Sequence, residues 1–182
     1  MVKELDVIVD TCSLINLAAA GDLTQLLPAS GLVWHLPRSV EAQGVAIRVS
    51  PDPVDSRRQP VDLDAAVRTG LLRRCDIGDA DAELFLELAA AHGDDADAAA
   101  LTIALSRGGL LATDDYPLAR LAAVRGVQTL TTAAVLRRVA SAASLRREQV
   151  AVMLSRVEQL GRWTPRKTDP DAEWWRTTLR PE

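Results

Sequence analysis

The 182-residue chain is poor in cysteine, histidine and aromatic side chains, and each shortage removes a class of protein. Two cysteines, Cys12 and Cys75, supply neither a disulfide framework nor a metal-ligand spacing, and two histidines in the whole chain argue against a zinc centre. With one Phe and one Tyr, the apolar set is left to Ala, Leu and Val, which suits helices packed closely on a small sheet rather than a β-sandwich. No segment approaches the ~18 apolar residues of a membrane span. The opening MVKELDVIVD carries charge at Lys3, Glu4 and Asp6 and has too short an apolar run for a signal peptide. The expectation is a soluble, cytoplasmic protein with no membrane contact. The length suits about one domain, and 48% hydrophobic residues are enough to build a core.

What is present is acid, unevenly placed. Residues 1–136 carry 11 Lys+Arg against 19 Asp+Glu, a net −8, while residues 137–182 carry 10 against 6, a net +4. An acidic body with a basic tail can hold metal in one part and phosphate in the other, although an uneven solvated surface gives the same numbers.

The stretch around which the chain is organised is LDVIVDTCSL, Leu5 to Leu14. Val7-Ile8-Val9 is short and β-branched, as in a strand buried on both faces of a parallel sheet. Asp10 stands at its carboxyl end, where open α/β sheets bind ligands, and a helix runs from Thr11 to Ala20. Asp10 alone is as well explained as that helix's cap. A second strand, residues 109–113, ends the same way in Asp114-Asp115 before a helix from Leu118 to Val124. Two strands ending in acids shift the expectation from a cap toward a site.

Between them, Asp22 caps a short helix through Leu27, Gly31 to Leu36 forms a second strand, and Pro37 opens a helix at Arg38 that holds Val40, Glu41, Val45 and Ile47. By itself Glu41 is an ordinary acid near a helix N-terminus. Residues 48–61, with three prolines, read as an exposed excursion. Val61 to Thr69 forms a short helix and Leu71 to Ile77 an edge strand. The helix after Gly78-Asp79 ends at His92-Gly93, where Gly is the C-cap and His92 is better explained by the helix dipole than as a ligand. In GDDADAAAL, Asp94 is the capping candidate and Asp95 lies to the side. At about 100° per residue, Asp97 shares the side of Leu101 and Ala104 and points inward. An inward carboxylate beside others destabilises the fold unless a cation compensates.

Gly126 to Leu130 is a further strand, Thr131-Thr132 caps a helix of Ala133 to Val139, and Ser144 opens an amphipathic helix through Leu160. The end holds Trp163, Trp174 and Trp175, which could stack on bases but are better read as packed on their own domain or on a second subunit. If the strands are parallel neighbours, the acids meet at one sheet edge. Oxygen ligands without His or Cys select Mg²⁺ or Mn²⁺, which activate water and offset phosphodiester charge.

The order and wording of these segments resemble a PIN-domain ribonuclease, in particular the VapC-like toxins of type II toxin–antitoxin pairs. VIVDTCSLINL is similar to the family's opening strand and first acid, LPRSVEAQG to its second acidic segment, GDDADAAALTIA to its third, and GGLLATDDYPLARLAAVRGVQTL to its closing strand, acid pair and helix. The likeness covers roughly residues 5 to 138. It implies a three-layer α/β/α domain with a small parallel sheet over residues 1–140, with 48–70 as a surface insertion, and a helical, Trp-rich, basic extension over 141–182. It further implies a metal-dependent endoribonuclease with Asp10, Glu41, Asp97, Asp114 and Asp115 as catalytic acids. Asp10, Asp97 and Asp114 would hold Mg²⁺ or Mn²⁺; within the 114/115 pair, geometry favours Asp114 as the one nearest the strand end. RNA is the implied substrate, and a small antitoxin and a homodimer are the implied partners. Cys12 stands where the family has a hydroxyl or amide. Arg137, Arg138, Arg146 and Arg147 are candidates for RNA contact by charge alone.

Three other readings compete, one of them an acidic α/β scaffold with no site, whose fold would be stabilised by neutralising the acids. A haloacid dehalogenase-type phosphatase would need a second Asp where Cys12 stands. A PIN-like domain without turnover, acting as a binding or assembly module, keeps the fold without the reaction.

Overall fold

The computed structural model describes residues 5–52 and 54–180; Lys3 and Glu4 lie outside the described residues. The β-branched run forms β1, Asp6–Val9, at the centre of a five-stranded parallel sheet. It is flanked by β2, Val33–Pro37, and β6, Leu110–Ala112, with β5, Leu72–Cys75, and β7, Thr129–Leu130, at the edges. The chain passes outward from β1 through β2 to β5 and then returns to the other side of β1. The strand order therefore reverses between β1 and β6. In open α/β sheets that reversal opens a crevice at the carboxyl ends of the two strands.

Alternation along the strands divides the core into two layers. Val7 and Val9 face one side with Trp34, Leu36 and Leu72; Ile8 and Leu111 face the other. The first layer is covered by α1, Thr11–Ala20, α2, Leu23–Ala29, α8, Thr132–Ala142, α9, Arg147–Arg156, and α10, Ala172–Leu179. The second is covered by α5, Ala82–His92, α6, Asp95–Arg107, and α7, Tyr116–Val124. This is the three-layer α/β/α arrangement. Among the described residues no helix is long and apolar enough to cross a membrane.

Three expectations change. The helix opened by Pro37, α3, Arg38–Gln43, stops before Gly44, whose φ of 77° suits glycine, so Val45 and Ile47 are not helical. Ala46–Arg48 is instead β3, paired antiparallel with β4, Arg58–Pro60; the excursion is closed by a small hairpin. A short helix α4, Asp64–Arg68, then leads to β5. Ser144, with φ of 50°, lies before α9 rather than opening it, and α9 runs into a wider π turn at Val157–Gly161. The tryptophans do pack on their own domain: Trp175 is buried, donates Nε1–H to Glu158 at 2.9 Å and is met edge-on by Trp163 and Trp174.

Candidate metal centre at the carboxyl edge of the sheet

The acids at the strand ends fall into an inner and an outer group. Asp10 is wholly buried and caps α1, with Oδ1 accepting from the Ser13 N–H at 2.7 Å. Its Oδ2 accepts from the Cys12 thiol at 3.0 Å. Burial pushes Asp10 up to about 7, against the hydrogen bonds from Cys12, Thr113 and Ser13, and the Asp114 charge pushes the same way as burial. Burial also pushes the Cys12 thiol well up, with Asp10 adding to it, so this sulfur keeps its proton as a donor. Capping and burial thus coexist in one residue.

Asp114, beside it, is held by three groups from two helices. Asn16 donates from Nδ2 at 2.8 Å, the Thr132 N–H donates at 2.9 Å, and the Thr132 hydroxyl makes a shorter contact. The Ser13 hydroxyl reaches the same carboxylate at 3.5 Å. Burial raises Asp114 above the ordinary carboxylate range, the Thr132 and Asn16 bonds lower it, and Asp169 of the C-terminal segment raises it further.

The outer group is His92, Asp97 and Asp115. The αL turn at Gly93 sets the end of α5 against the start of α6, so His92 Nε2 comes to 2.9 Å from Asp97 Oδ2. Asp94 caps α6 through the Ala96 and Asp97 N–H groups, which leaves the Asp97 side chain to face inward. Burial raises Asp97, with Asp94 and Asp115 adding repulsion and His92 opposing it. Asp115 caps α7 by accepting from the Leu118 N–H at 2.7 Å. One ligand atom from each of the three lies within 4.8 Å of the others, and among the described residues this is the one such group.

The predicted residues therefore separate. Asp97 and Asp115 share the outer group, Asp10 and Asp114 lie together further inside, and the trio of Asp10, Asp97 and Asp114 does not form one compact ligand set. Glu41 joins neither. It accepts two hydrogen bonds from Arg74 Nε and one from Nη2, at 2.7 to 3.1 Å, and Arg74 holds it below the ordinary range. Of the arginines considered for RNA, Arg137 pairs with Asp171 at 2.5 Å, Arg138 donates to the Ser30 carbonyl, and Arg147 donates to the Thr177 and Arg180 carbonyls.

Sequence reading missed His92, assigned there to the dipole, together with Asn16 and Thr132, which hold Asp114, and Asp169. The signal for His92 was its place just before a Gly and an acid-rich helix start. Asp169 gave none, because only the tertiary fold returns it to the sheet.

The spacing of the outer group is close to what a divalent cation needs. Ligands about 2.1 Å from an octahedral ion stand roughly 3 to 4.2 Å apart, so a 4.8 Å set needs only a slight inward turn. Two carboxylates and an imidazole suit Mn²⁺ better than Mg²⁺, whose preferred shell is all oxygen. No family model, no curated protein and no solved structure matches this chain.

Proposed function

We propose that the protein is a metal-dependent endoribonuclease of the PIN type that hydrolyses RNA phosphodiester bonds, with a VapC-like toxin role as its narrower form. The observation that carries the reading is the convergence of Asp10, Asp97, Asp114 and Asp115 where the strand order reverses, with no Lys or Arg paired to any of them among the described residues. Acids gathered with no Lys or Arg, and with only His92 on Asp97, are unfavourable to the fold, and a divalent cation resolves that cost. When bound, such a cation offsets phosphodiester charge and makes water a better nucleophile. In this reading His92, Asp97 and Asp115 hold the ion, and Asp10 and Asp114 set the field behind it. Mn²⁺ serves as well as or better than Mg²⁺. Glu41, bound to Arg74, stands outside the reaction.

One observation favours a second reading, a PIN-like binding or assembly module. Asp10 is wholly buried with both oxygens engaged inside the protein, and Cys12 takes part in that closure. Cleavage of a mixed-sequence RNA by the wild type with Mn²⁺ decides between them. The nuclease reading predicts metal-dependent cleavage that falls at least ~100-fold in Asp97→Asn. Intact RNA with a folded, metal-loaded protein leaves the binding module.

A further inference from the structure

The acidic edge is partly roofed by the chain's own C-terminal extension. After the π turn the backbone turns at Arg162, with φ of 59°, and residues 162–171 run without helix or strand to the start of α10. They cross the carboxyl ends of β6 and β7. Asp114, Asp115 and Tyr116 line the gap beneath them from the domain side, and Trp163, Arg166 and Asp169 line it from the other. The gap measures only about 150 Å³. Ligand pockets begin at about 300 Å³, so a nucleotide does not enter while the segment lies there. Its aromatic surface is also taken. The Arg166 guanidinium sits 4.4 Å from the ring centroid of Tyr116, the residue directly after Asp115, and Arg120 stands at 5.9 Å.

The segment is held firmly at its ends and weakly in its middle. Trp175 of α10 is buried and donates to Glu158 of the π turn, which fixes the extension to the domain. Between these anchors, Arg166 is exposed and reaches Tyr116 through a cation–π contact, and Arg137, 55% exposed, pairs with Asp171. Exposed contacts of both kinds are weak. Asp169 brings a like charge toward Asp114 and acts against closure. Firm ends, few contacts between them and a repulsion beneath allow the segment to open locally while the domain stays folded.

We infer that residues 162–171 are an autoinhibitory strap, which closes the acidic edge to a polynucleotide by laying Arg166 on Tyr116. What the strap excludes rests on the nuclease reading; that it covers the edge rests on its own geometry. RNA affinity and cleavage then scale with the fraction of molecules whose strap is open. The wild type keeps a basal cleavage, and loosening the strap raises it. Water and a cation are small enough for the gap, so the strap does not keep Mn²⁺ from the acids.

The test compares wild type, Arg166→Ala, Arg166→Lys and Arg137→Ala as full chains. Hydrogen exchange over residues 162–171 reports strap opening, a fluorescent phosphorothioate RNA that resists hydrolysis reports binding in Mn²⁺, and unmodified RNA at subsaturating concentration reports cleavage. The sign of the effect separates the strap from simple attraction. If these arginines only drew phosphates, removing either would weaken RNA binding. The strap predicts the opposite. Arg166→Ala and Arg137→Ala should exchange faster in residues 162–171 alone and should bind and cleave RNA about two- to fivefold better, the worth of one exposed contact. Arg166→Lys, which keeps the charge and loses the planar stack, should gain in the same direction by less. Equal exchange in wild type and Arg166→Ala, or a loosened strap with RNA binding unchanged or weaker, overturns the strap. Tighter RNA binding by Arg166→Ala when no protein of the set cleaves RNA upholds the strap and removes the nuclease reading. Metal-dependent cleavage by the wild type with no gain in Arg166→Ala keeps the nuclease and removes the strap.

Discussion

The two ends of β1 carry an aspartate each, and the protein treats them in opposite ways. Asp6, at the amino end, is 2.7 Å from His35 Nε2, and Arg107 donates to the other ring nitrogen of His35 at 3.1 Å. With Nδ1 accepting, Nε2 carries the proton and donates to Asp6. That acid sits in a closed chain of donors ending in a cation. Asp10, four residues on, has donors but no cation; its carboxylate neighbour Asp114 adds repulsion. A strand end closed by its own arginine is a structural solution. At the other end the acids have no such cation, and in the proposed reading the ion held by His92, Asp97 and Asp115 beside them takes that part.

The largest expected break in this comparison is in chemistry. Asp97→Asn should lower Mn²⁺-dependent RNA cleavage at least ~100-fold, whereas Asp6→Asn should leave the cleavage rate unchanged and cost only about 1 kcal/mol in denaturant unfolding. Equal losses in the two variants would show that the ends of the strand do not differ.

The next effect is on stability and its pH dependence. Asp10 is raised in the fold, so the folded state binds its proton more tightly than the unfolded chain does. Stability from this group is then full below the ordinary carboxylate range and is lost as pH rises toward about 7. In metal-free buffer at pH 8, Asp10→Asn should therefore stabilise the protein by a few kcal/mol, because each tenfold difference in proton affinity between the folded and unfolded chain is worth about 1.4 kcal/mol. The gain should vanish near pH 4. Urea unfolding of both proteins across that range checks it. A pH-independent difference would mean that Asp10 is not held against ionisation.

A smaller effect tests the link between the C-terminal extension and the inner acids. A Cβ on Gly161 would meet Asn16 Oδ1 at 2.6 Å, and Asn16 is the buried residue whose amide holds Asp114. Gly161→Ala should cost about 1–3 kcal/mol by overpacking and shift the Asn16 side-chain amide resonances. Unchanged resonances would mean that the extension and Asp114 are independent. Smallest of all is Glu41→Gln, which removes a partly exposed pair with Arg74 and should leave the Mn²⁺ response intact, with a slight salt-sensitive change in melting temperature. Loss of the Mn²⁺ response there would return Glu41 to the site.

Much of this arrangement was legible because it rests on local rules. The β-branched run, the absence of breakers through Ala20 and the acid between them specify β1, which begins one residue earlier at Asp6, then Asp10, and α1 with the bounds observed. Helical phase turned Asp97 inward, and Asp94 took the cap as expected. Where two rules competed, the sequence could not rank them. His92 satisfies a helix dipole and also faces Asp97 across the Gly93 turn, and only the approach of α5 to α6 selects the second. The β3–β4 hairpin was hidden because its short strands lie across a proline-rich loop and lack an alternating apolar pattern; β4 is exposed along its whole length. Arg166 and Asp169 were out of reach for a different reason. Both lie far along the chain from Asp114 and Asp115, and nothing local says that the chain returns.

That the carboxyl edge of the sheet holds a divalent cation is tested most directly by thermal unfolding during Mn²⁺ titration after chelation. A ligand that binds the native state raises apparent stability by mass action, by about 2.7 kcal/mol at a hundred times its dissociation constant. The expected outcome is a saturating rise in melting temperature for the wild type, a much smaller one for Asp97→Asn and for His92→Gln, and an undiminished one for Glu41→Gln. A wild type that does not respond to Mn²⁺, or variants that all respond alike, would contradict the presence of an ion site at this edge.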